Sequence, residues 1–454
     1  MLPEAAQQDP RNSKEHWSKE RLRKYATTGV ARAVHPKVTV ETASRVLGGA
    51  GITRIADVTN LDRLGIPNFM SVRPDDLGDE LSPGISYYNG KGLTPDDAHA
   101  GALMEAIERH AGERCSYPVV TASYRQLSCE ASCVRLDDIV SPWLADFDDD
   151  TVLEWVCGYE LLSESPVFVP LNCVVAPYSP VTGQQLFLAS TNGLASGNSV
   201  TEALCHALCE IVERDAESMS LVRTRLVNGV TALLDKAGMN SLSSTRERIL
   251  DLTSIPAPSL KIVEKMHDAG LKVILHDVSD VSGVSTVHCA IIDPFWNGPL
   301  NAHGGCGSHP DARIAVSRAL TEAAQSRLTC IQGGREDLGE MMKGKNWMSE
   351  EDIDEKLARS QVVSFADLPD FQSDFIDEDL DYLIECAKNS GLKRLVAFDM
   401  THADVNMPVV RIVAPEAETW AIFQKHGGRS WLGPRAIARL HEAMGQPAQA
   451  VASA

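Results

Sequence analysis

The pattern of apolar and polar positions along the chain predicts both strands and long helices. Four segments show the alternation that is typical of strands: residues 271–278, 285–293, 394–401 and 408–415. Four others space their apolar residues three or four apart, as amphipathic helices do: residues 96–114, 200–220, 311–332 and 376–390. Strands and helices are interspersed without the strict alternation of a doubly wound sheet, so the predicted fold class is α+β.

The polarity of the chain ends and of one internal segment indicates the domain organisation. Residues 1–25 are polar and charged, and residues 436–454 end in small residues, so both are predicted to be flexible tails. Between them we expect an N-terminal lobe over residues 26–80 and a catalytic domain over residues 81–435, because no long Gly-, Ser- or Pro-rich linker interrupts this stretch. Residues 345–376 are strongly acidic and are predicted to form a surface excursion.

Composition and charge restrict the classes of function. The 454 residues include 42 Lys and Arg against 62 Asp and Glu, a formal net charge of −20 at pH 7. Such a chain is a poor candidate for binding nucleic acid or an anionic membrane, and a polyanionic ligand needs local basic residues or metal ions. There is no signal-peptide pattern and no apolar run of the roughly 18 residues that a membrane helix needs. The 11 cysteines include no Cys-x-x-Cys pair, so we expect a cytoplasmic protein with reduced thiols.

One acidic octamer occurs twice. Residues 102–109 and 207–214 share the pattern A-L-x-E-x-x-E-R, 105 residues apart, which indicates a duplication or two halves of one site. On a helix the two glutamates of each copy share a face, and these are Glu105, Glu108, Glu210 and Glu213. Because their neighbours are apolar, the like charges repel in a buried setting unless a cation compensates, and carboxylate oxygens suit Mg²⁺. The alternative is an exposed face of Glu–Arg ion pairs.

Glycine-rich loops precede both copies, and their backbone amides could meet phosphate groups. Before the second copy, residues 190–202 are rich in Gly, Asn and Ser and contain Asn198 and Glu202. Before the first copy, residues 89–94 contain Lys91. Both charged residues also have a simpler interpretation, because Glu202 suits the N-terminal dipole of a helix and Lys91 suits a solvated loop. No G-x-x-x-x-G-K-[ST] motif is present, which excludes a P-loop site.

A third polar segment lies further along the chain. Glu322, Gln325 and Arg327 share one predicted helix, and Arg335 follows it. The Gly-rich run at 301–309 contains two histidines and a cysteine, but three close ligands without a fourth are weak support for zinc, and a flexible loop is the alternative. Acidic pairs, Mg²⁺ and nearby Arg and Lys side chains together indicate a nucleoside triphosphate site without a P-loop. A serine hydrolase is not supported, since no G-x-S-x-G elbow is present.

Taken together, these motifs resemble the YcaO family over most of the chain, residues 40–415. The motifs are Gly90-Lys91-Gly92, the octamer with Glu105 and Glu108, Asn198-x3-Glu202-x7-Glu210-x2-Glu213-Arg214, and Glu322-x2-Gln325-Ser326-Arg327. The resemblance implies a YcaO-type fold with an internal pseudo-duplication and an ATP and Mg²⁺ site between its halves. It also implies an enzyme that uses ATP and Mg²⁺ to phosphorylate the oxygen of a peptide backbone amide. After a nucleophile has added to the carbonyl carbon, this oxygen leaves with the phosphate.

Position by position, the resemblance implies roles for individual residues. The implied Mg²⁺ ligands are Glu105, Glu108, Glu210 and Glu213; the implied nucleotide contacts are Lys91, Arg109, Asn198, Glu202 and Arg335; and the implied catalytic residues are Arg214, Gln325 and Arg327. One position departs from the family pattern, because Gly101 stands where the family has a serine. The missing hydroxyl removes one hydrogen bond to the nucleotide but no metal ligand.

Two further features bear on the product of the reaction. Residues 51–67 resemble YcaO proteins that are associated with TfuA and with thioamide formation. Azoline-forming members usually end in a P-x-P-x-P tail, and residues 446–450 (QPAQA) contain no such motif. Thioamide formation with an external sulfur donor is therefore the leading expectation. Azoline formation at Cys, Ser or Thr and amidine formation are the alternatives.

The resemblance also implies partners and leaves two other classes of function open. The expected partners are a peptide or protein substrate, a sulfur donor, a TfuA-like protein and a second copy of the chain in a homodimer, with neither nucleic acid nor a membrane. A non-catalytic ATP-binding regulator would keep the acidic pairs but show no peptide-dependent turnover. A metal-dependent phosphohydrolase would hydrolyse the nucleotide without an acceptor.

Overall fold

The computed structural model describes most of the chain. The described residues are 2–26, 31–74, 86–142, 147–179, 181, 186–187, 189–236, 245–280, 282–296, 300–334, 349–419, 425–426 and 429–444. Their helices are α1 (Leu2–Gln7), α2 (Pro36–Ser44), α3 (Pro95–Gly112), α4 (Tyr124–Leu127), α5 (Val200–Leu221), α6 (Asn228–Lys236), α7 (Ala257–Asp268), α8 (Ala312–Gln332), α9 (Glu350–Arg359), α10 (Ile376–Asn389) and α11 (Pro434–Ala443).

The strands of the described part form two larger sheets and two small ones. They are β1 (Arg54–Asp57), β2 (Asn68–Val72), β3 (Tyr87–Lys91), β4 (Val119–Ser123), β5 (Ser141–Pro142), β6 (Val152–Glu160), β7 (Ser165–Pro170), β8 (Leu194–Ser196), β9 (Arg248–Leu250), β10 (Lys272–Asp277), β11 (Ser285–Ile292), β12 (Ala302–His309), β13 (Gln361–Val363), β14 (Val396–Asp399), β15 (Val409–Val413), β16 (Lys425–His426) and β17 (Arg429–Leu432). The five-stranded sheet has the order β12-β11-β10-β9-β13, and the six-stranded sheet has the order β4-β6-β14-β15-β8 with β7 beside β6. The small sheets are β1-β2-β3 and β16-β17-β5.

The predicted α+β class is confirmed, and the predicted elements are present. Strands β10, β11, β14 and β15 and helices α3, α5, α8 and α10 match the eight predicted segments to within two residues at each end. Helix α5 contacts β8 and β15 of the six-stranded sheet and β11 and β12 of the five-stranded sheet. Helix α3 contacts β8 on one side, and α8 covers β12 on the other. The two octamers and the third polar segment therefore lie on helices that meet at the junction of the two sheets.

Two glycines allow helices to lie directly on strands. A Cβ atom on Gly90 of β3 would lie 2.0 Å from the backbone N of Ala102 in α3, and one on Gly305 of β12 would lie 2.1 Å from the backbone N of Ala323 in α8. Only a residue without a Cβ atom fits such contacts. The Gly-rich run at 301–309 is thus mostly an ordered strand rather than a flexible loop. Its histidine at 303 and cysteine at 306 point to opposite faces, so the zinc interpretation is wrong.

The N-terminal segment packs against α10, where the sequence analysis expected a flexible tail. Lys24 Nζ lies 2.6 Å from Asp379 Oδ2, and both side chains are buried. Arg21 adds ion pairs to Asp377 and Glu378. The polar composition of this segment predicted solvent exposure, but its partners lie more than 300 residues away, at positions that local composition does not reveal.

The acidic segment contributes an edge to the five-stranded sheet. Strand β13 pairs in parallel with β9, and Ile353 of α9 and Val363 of β13 are buried. The expected surface excursion therefore includes a structural strand. At the C-terminus, the segment predicted to be a flexible tail begins inside α11, and residues 445–454 lie outside the described part. None of the helices in the described residues is long and apolar enough to cross a membrane.

Candidate active site

Helices α3 and α5 begin at defined caps that orient the acidic octamers. Thr94 caps α3 in a capping box with Asp97, and Pro95 occupies the first turn. At the start of α5, the side chain of Ser199 accepts a hydrogen bond from the backbone N–H of Glu202. Both helices contact β8, so the two octamers lie next to the same short strand.

The two glutamates of the first acidic pair are both half-buried. Glu108 Oε2 accepts a hydrogen bond of 3.0 Å from the backbone N–H of Ser196 in β8. Burial raises the pKa of Glu108 to about 8, and the carboxylates of Glu105 and Glu210 add to this effect. Glu105 Oε1 lies 3.6 Å from Arg109 Nη2. Because Glu210 belongs to the second octamer, its charge reaches the first, and the two copies lie close enough to share one site.

The second acidic pair connects the site to the five-stranded sheet. Glu210 Oε1 lies 2.7 Å from Arg214 Nη2. Glu213 Oε2 accepts a hydrogen bond of 3.0 Å from the backbone N–H of Ser308 in β12. Burial raises the pKa of Glu213 to about 7, and the next contribution comes from the carboxylate of Glu322. A third helix, α8, therefore also contributes an acidic residue.

Glu322 of α8 is a carboxylate to which the sequence analysis gave no role. Its Oε2 lies 2.6 Å from Lys91 Nζ, and its Oε1 accepts a hydrogen bond of 3.3 Å from the backbone N–H of Cys306. Burial would raise the pKa of Glu322, but the charge of Lys91 lowers it overall. The available signal was a third, degenerate copy of the octamer, A-L-T-E-A-A-Q at residues 319–325.

Sequence reasoning also missed two arginines. Burial would lower the pKa of Arg318, but Glu213 and Glu322 raise it overall, so this guanidinium lies close to both carboxylates. Arg411 of β15 is 4% exposed, and burial lowers its pKa to about 10. Its Nη2 donates to the carbonyl of Cys173 at 2.8 Å, whereas Nε and Nη1 have no hydrogen-bond partner in the described part of the chain. A buried guanidinium with two unused donors suits an anionic ligand.

Residues 32–39, which follow the N-terminal segment, reach the site through Asn198 and Glu202. The Glu202 carboxylate, which is buried, lies 3.0 Å from Arg32 Nη1 and accepts a hydrogen bond of 3.1 Å from the backbone N–H of Ala33. Asn198 Nδ2 donates to the same carboxylate at 2.8 Å, and Asn198 Oδ1 accepts from Thr39 Oγ1 at 2.9 Å. These contacts favour a positioning role for Glu202, whose oxygens already have protein partners.

The remaining predicted residues divide between the site and other places. Gln325 donates to a backbone carbonyl of β3, next to Lys91. Arg327 is buried on another side of α8, with Nε 3.1 Å from Asp62 Oδ2 and Nη1 3.2 Å from Asp293 Oδ2. The structure does not bring Arg327 to the carboxylates. Arg327 lies five positions after Glu322, whereas residues on the same face of a helix are three or four positions apart. Arg335 lies outside the described residues.

The carboxylates fit a divalent cation on electrostatic grounds. Burial and neighbouring carboxylates raise the pKa values of Glu108 and Glu213 to about 8 and about 7, so the nearby arginines compensate the ionised forms only in part. A bound cation reverses this effect, and oxygen donors suit Mg²⁺. Among the residues that the structure describes, no three acidic, histidine or cysteine side chains converge closely enough to enclose a metal ion.

We expect Mg²⁺ to stabilise the protein more at about pH 8 than at about pH 6. In the folded state the pKa values of Glu108 and Glu213 are about 8 and about 7, above the usual 4.5. Without metal, the folded protein binds more protons than the unfolded chain between the usual pKa of 4.5 and the raised values. Its stability therefore falls as the pH rises from about 4.5 to about 8. Mg²⁺ offsets this loss only where the carboxylates are ionised. Thermal unfolding with Mg²⁺ or with a chelator measures the effect, and an equal shift at both pH values contradicts it.

The comparison with protein families is decisive. The model of a family described as YcaO cyclodehydratase, ATP- and Mg²⁺-binding, matches residues 89–418, which include both octamers and the third polar segment. The chain belongs to the YcaO family. This confirms the family resemblance, and with it ATP and Mg²⁺ as cofactors and an ATP-dependent enzyme as the class of function.

Relatives of this YcaO protein extend along nearly its whole length. An uncharacterised protein of Methanothermobacter thermautotrophicus is 33% identical over 413 residues, which are 88% of this chain and 98% of that protein. An uncharacterised protein in the tfuA 3′ region of Rhizobium leguminosarum bv. trifolii is 29% identical over 85% of this chain and 88% of its own.

Solved structures share the fold at low sequence identity. A heterocyclase in complex with substrate and cofactor has a TM-score of 0.71 at 18% identity, and the match covers 98% of this chain but only 58% of the heterocyclase. YcaO from Methanopyrus kandleri, bound with AMPPCP and Mg²⁺, has a TM-score of 0.63 at 23% identity and covers 86% of this chain and 93% of its own. Both likenesses support the YcaO-type fold.

Proposed function

We propose that this YcaO protein uses ATP to phosphorylate the oxygen of a peptide backbone amide, and that an external sulfur donor then converts the amide to a thioamide. The observation that carries the proposal is the convergence of α3, α5 and α8, each with a copy of one acidic motif, on a site that also holds basic side chains. Carboxylates next to Arg and Lys suit a metal-bound triphosphate, because the metal and the basic groups together neutralise its charge.

In this proposal the acidic residues hold Mg²⁺ and the basic residues hold the phosphates. The proposed Mg²⁺ ligands are Glu105, Glu108, Glu210 and Glu213, with Glu322 as an additional ligand. The proposed phosphate contacts are Lys91, Arg109, Arg214, Arg318 and Arg411. Bound Mg²⁺ supplies charge neutralisation at the phosphate oxygens. The protein's own contribution is to hold these groups in a partly buried site, where charges interact more strongly than in water.

Contacts in two parts of the chain position the side chains of the proposed nucleotide site. Arg411 presents Nε and Nη1, for which the described part of the chain offers no partner, and its third nitrogen is fixed by the carbonyl of Cys173. This arrangement orients the two unused donors before any ligand binds. Glu202 and Asn198 connect the first turn of α5 to Arg32 and its neighbours. Residues 32–39 therefore support the helix that carries Glu210 and Glu213.

Thioamide formation is the product that the sequence favours. Residues 51–67 resemble the TfuA-associated members, and a relative is encoded in a tfuA 3′ region. We therefore propose a peptide or protein substrate, an external sulfur donor, a TfuA-like partner and a homodimeric assembly. Azoline formation is the second candidate, since a heterocyclase shares the fold over 98% of this chain.

Phosphate release and mass spectrometry together test the proposal. Purified protein is incubated with Mg-ATP, sulfide and a panel of peptides, with sulfide omitted as the control. We expect one peptide to stimulate phosphate release and to gain the mass difference between sulfur and oxygen, only when sulfide is present. Loss of one water from the peptide would instead support azoline formation. Phosphate release without any peptide change would support a phosphohydrolase, and Mg-ATP binding without turnover would support a regulator.

A further inference from the structure

A row of polar side chains crosses the five-stranded sheet and begins at the carboxylates. Cys306 of β12 pairs with His288 of β11, and His288 pairs with His276 of β10, in the antiparallel register. Directly paired residues of an antiparallel sheet point to the same face. The three side chains therefore form one row. Cys306 marks the end nearest the site, because its backbone N–H donates to Glu322.

Helix α5 supplies a carboxylate to the same place. Glu217 lies one helical turn beyond Glu213, so the two residues share a face of α5. Burial raises the pKa of the Cys306 thiol, and the charges of Glu217 and Glu213 are the next contributions, so all three lie close together. Glu217 Oε1 lies 3.5 Å from His288 Nε2. The imidazole is thus held next to the proposed metal and phosphate site without being part of it.

The ring of His288 packs against a glycine and is partly exposed to solvent. A Cβ atom on Gly304 would lie 3.0 Å from His288 Nε2, so the glycine makes room for the ring. The side chain is 29% exposed, compared with 8% for His276 on the next strand. Of the two ring-bearing members of the row, His288 is therefore the more accessible.

We propose that His288 accepts the proton of the nucleophile during thioamide formation, and that Glu217 is the residue that positions it. This inference rests on the proposed function. A base outside the metal set is needed, because carboxylates that coordinate Mg²⁺ have their charge engaged. A neutral imidazole beside the site meets that need.

Burial, assisted by nearby positive charges, keeps the ring of His288 neutral. Burial lowers the pKa of His288 to about 4, Lys356 of α9 and Arg225 lower it further, and Glu322 of α8 opposes them. Glu217 faces Nε2 from α5, and the His276 ring on β10 lies 5.9 Å away between centroids. At neutral pH the ring therefore has a free lone pair with which to accept a proton.

Hydrosulfide is the nucleophile in the proposed step. Its sulfur forms a bond to the amide carbon, and the amide oxygen takes up the γ-phosphoryl group of ATP. The C–O bond then breaks, and its electron pair leaves with phosphate. The S–H electron pair forms the second carbon–sulfur bond, and the S–H proton passes to His288 Nε2. Transfer of that proton to a phosphate oxygen or to water restores the neutral ring.

A single-turnover comparison of His288→Gln with His276→Gln tests the proposal. His276 is a matched control, because it lies on the same face of the sheet but has its Nδ1 3.4 Å from Glu247 Oε2 rather than next to α5. With Mg-ATP, hydrosulfide and the substrate peptide, we expect His288→Gln to lose about 100-fold in product formation, the typical contribution of a general base. Mg-ATP binding by this variant should match the wild type. His276→Gln should retain product formation close to that of the wild type.

Glu217→Gln separates positioning from catalysis. We expect it to lose less product formation than His288→Gln and to change the pH profile of the step, because the amide keeps the shape of the side chain but not its charge. Wild-type rates in folded His288→Gln overturn the proposal, as do equal losses in His288→Gln and His276→Gln. A wild-type profile in Glu217→Gln overturns the positioning role. If the wild-type protein thioamidates no peptide, the proposed function fails and the assignment of His288 fails with it.

Discussion

Glu213→Gln is expected to lower Mg²⁺-dependent ATP turnover by at least about 100-fold, since a lost metal ligand removes several kcal/mol of charge stabilisation. The amide still accepts the hydrogen bond from the backbone N–H of Ser308, which is 3.0 Å long in the wild type. It cannot carry the charge that Mg²⁺ requires. Phosphate release at saturating Mg-ATP, with thermal unfolding of both proteins, measures the loss separately from any effect on folding.

Removal of this charge should not destabilise the metal-free protein. Burial and the carboxylate of Glu322 raise the pKa of Glu213 to about 7, so the ionised form is unfavourable without a cation. Glu264→Gln is the matched control, because Glu264 is an exposed glutamate on α7. It should change neither turnover nor stability. Wild-type turnover in Glu213→Gln with Mg²⁺ present would remove Glu213 from the proposed set of metal ligands.

Arg327→Met is expected to lower the free energy of unfolding by about 3–5 kcal/mol, the usual cost of removing one partner from a buried ion pair. Arg327 bridges Asp62 and Asp293, whose carboxylates are 3.1 Å from its Nε and 3.2 Å from its Nη1. All three residues are buried. Asp293 retains Arg63 at 3.2 Å, so most of the cost falls on Asp62. Urea unfolding monitored by fluorescence measures the change.

A second arginine on α8 provides the control for this prediction. Arg313 pairs with Asp311 at 2.6 Å, but its side chain is 26% exposed. Arg313→Met should cost less than Arg327→Met, because the half-buried guanidinium is partly screened by water and Asp311 keeps the hydrogen bond from the backbone N–H of residue 313. The two variants also separate a structural from a catalytic role. If Arg327→Met unfolds like the wild type but loses ATP turnover, the catalytic role predicted from the sequence is right and the structural one is wrong.

The sequence predicted the local elements and the acidic core of the site because both depend on short-range periodicity. The spacing of apolar residues located α3, α5, α8 and α10. The spacing of glutamates within each octamer placed Glu105 with Glu108, and Glu210 with Glu213, on shared faces. The same motifs were sufficient to identify the family, since they place several polar residues at fixed distances along the chain.

Tertiary structure decided which distant residues meet. Arg327 lies only five positions after Glu322 and was predicted to share its site. The rotation of the helix between them instead points Arg327 towards Asp62, 265 residues away along the chain. Arg411 looked like one polar residue in an apolar strand, and only the packing of β15 against β8 and α5 brings it to the site.

The same limit explains the N-terminal segment and Glu202. Composition predicted a flexible tail over residues 1–25, whereas this segment makes ion pairs with α10. Beyond the segment, Arg32 reaches Glu202 across 170 residues. The sequence by itself thus determined the helices, the acidic pairs and the family, because these follow from spacing within a few turns. The partners of buried charges were decided only by the fold, because a charge is stabilised by whatever packing brings within a few ångströms of it.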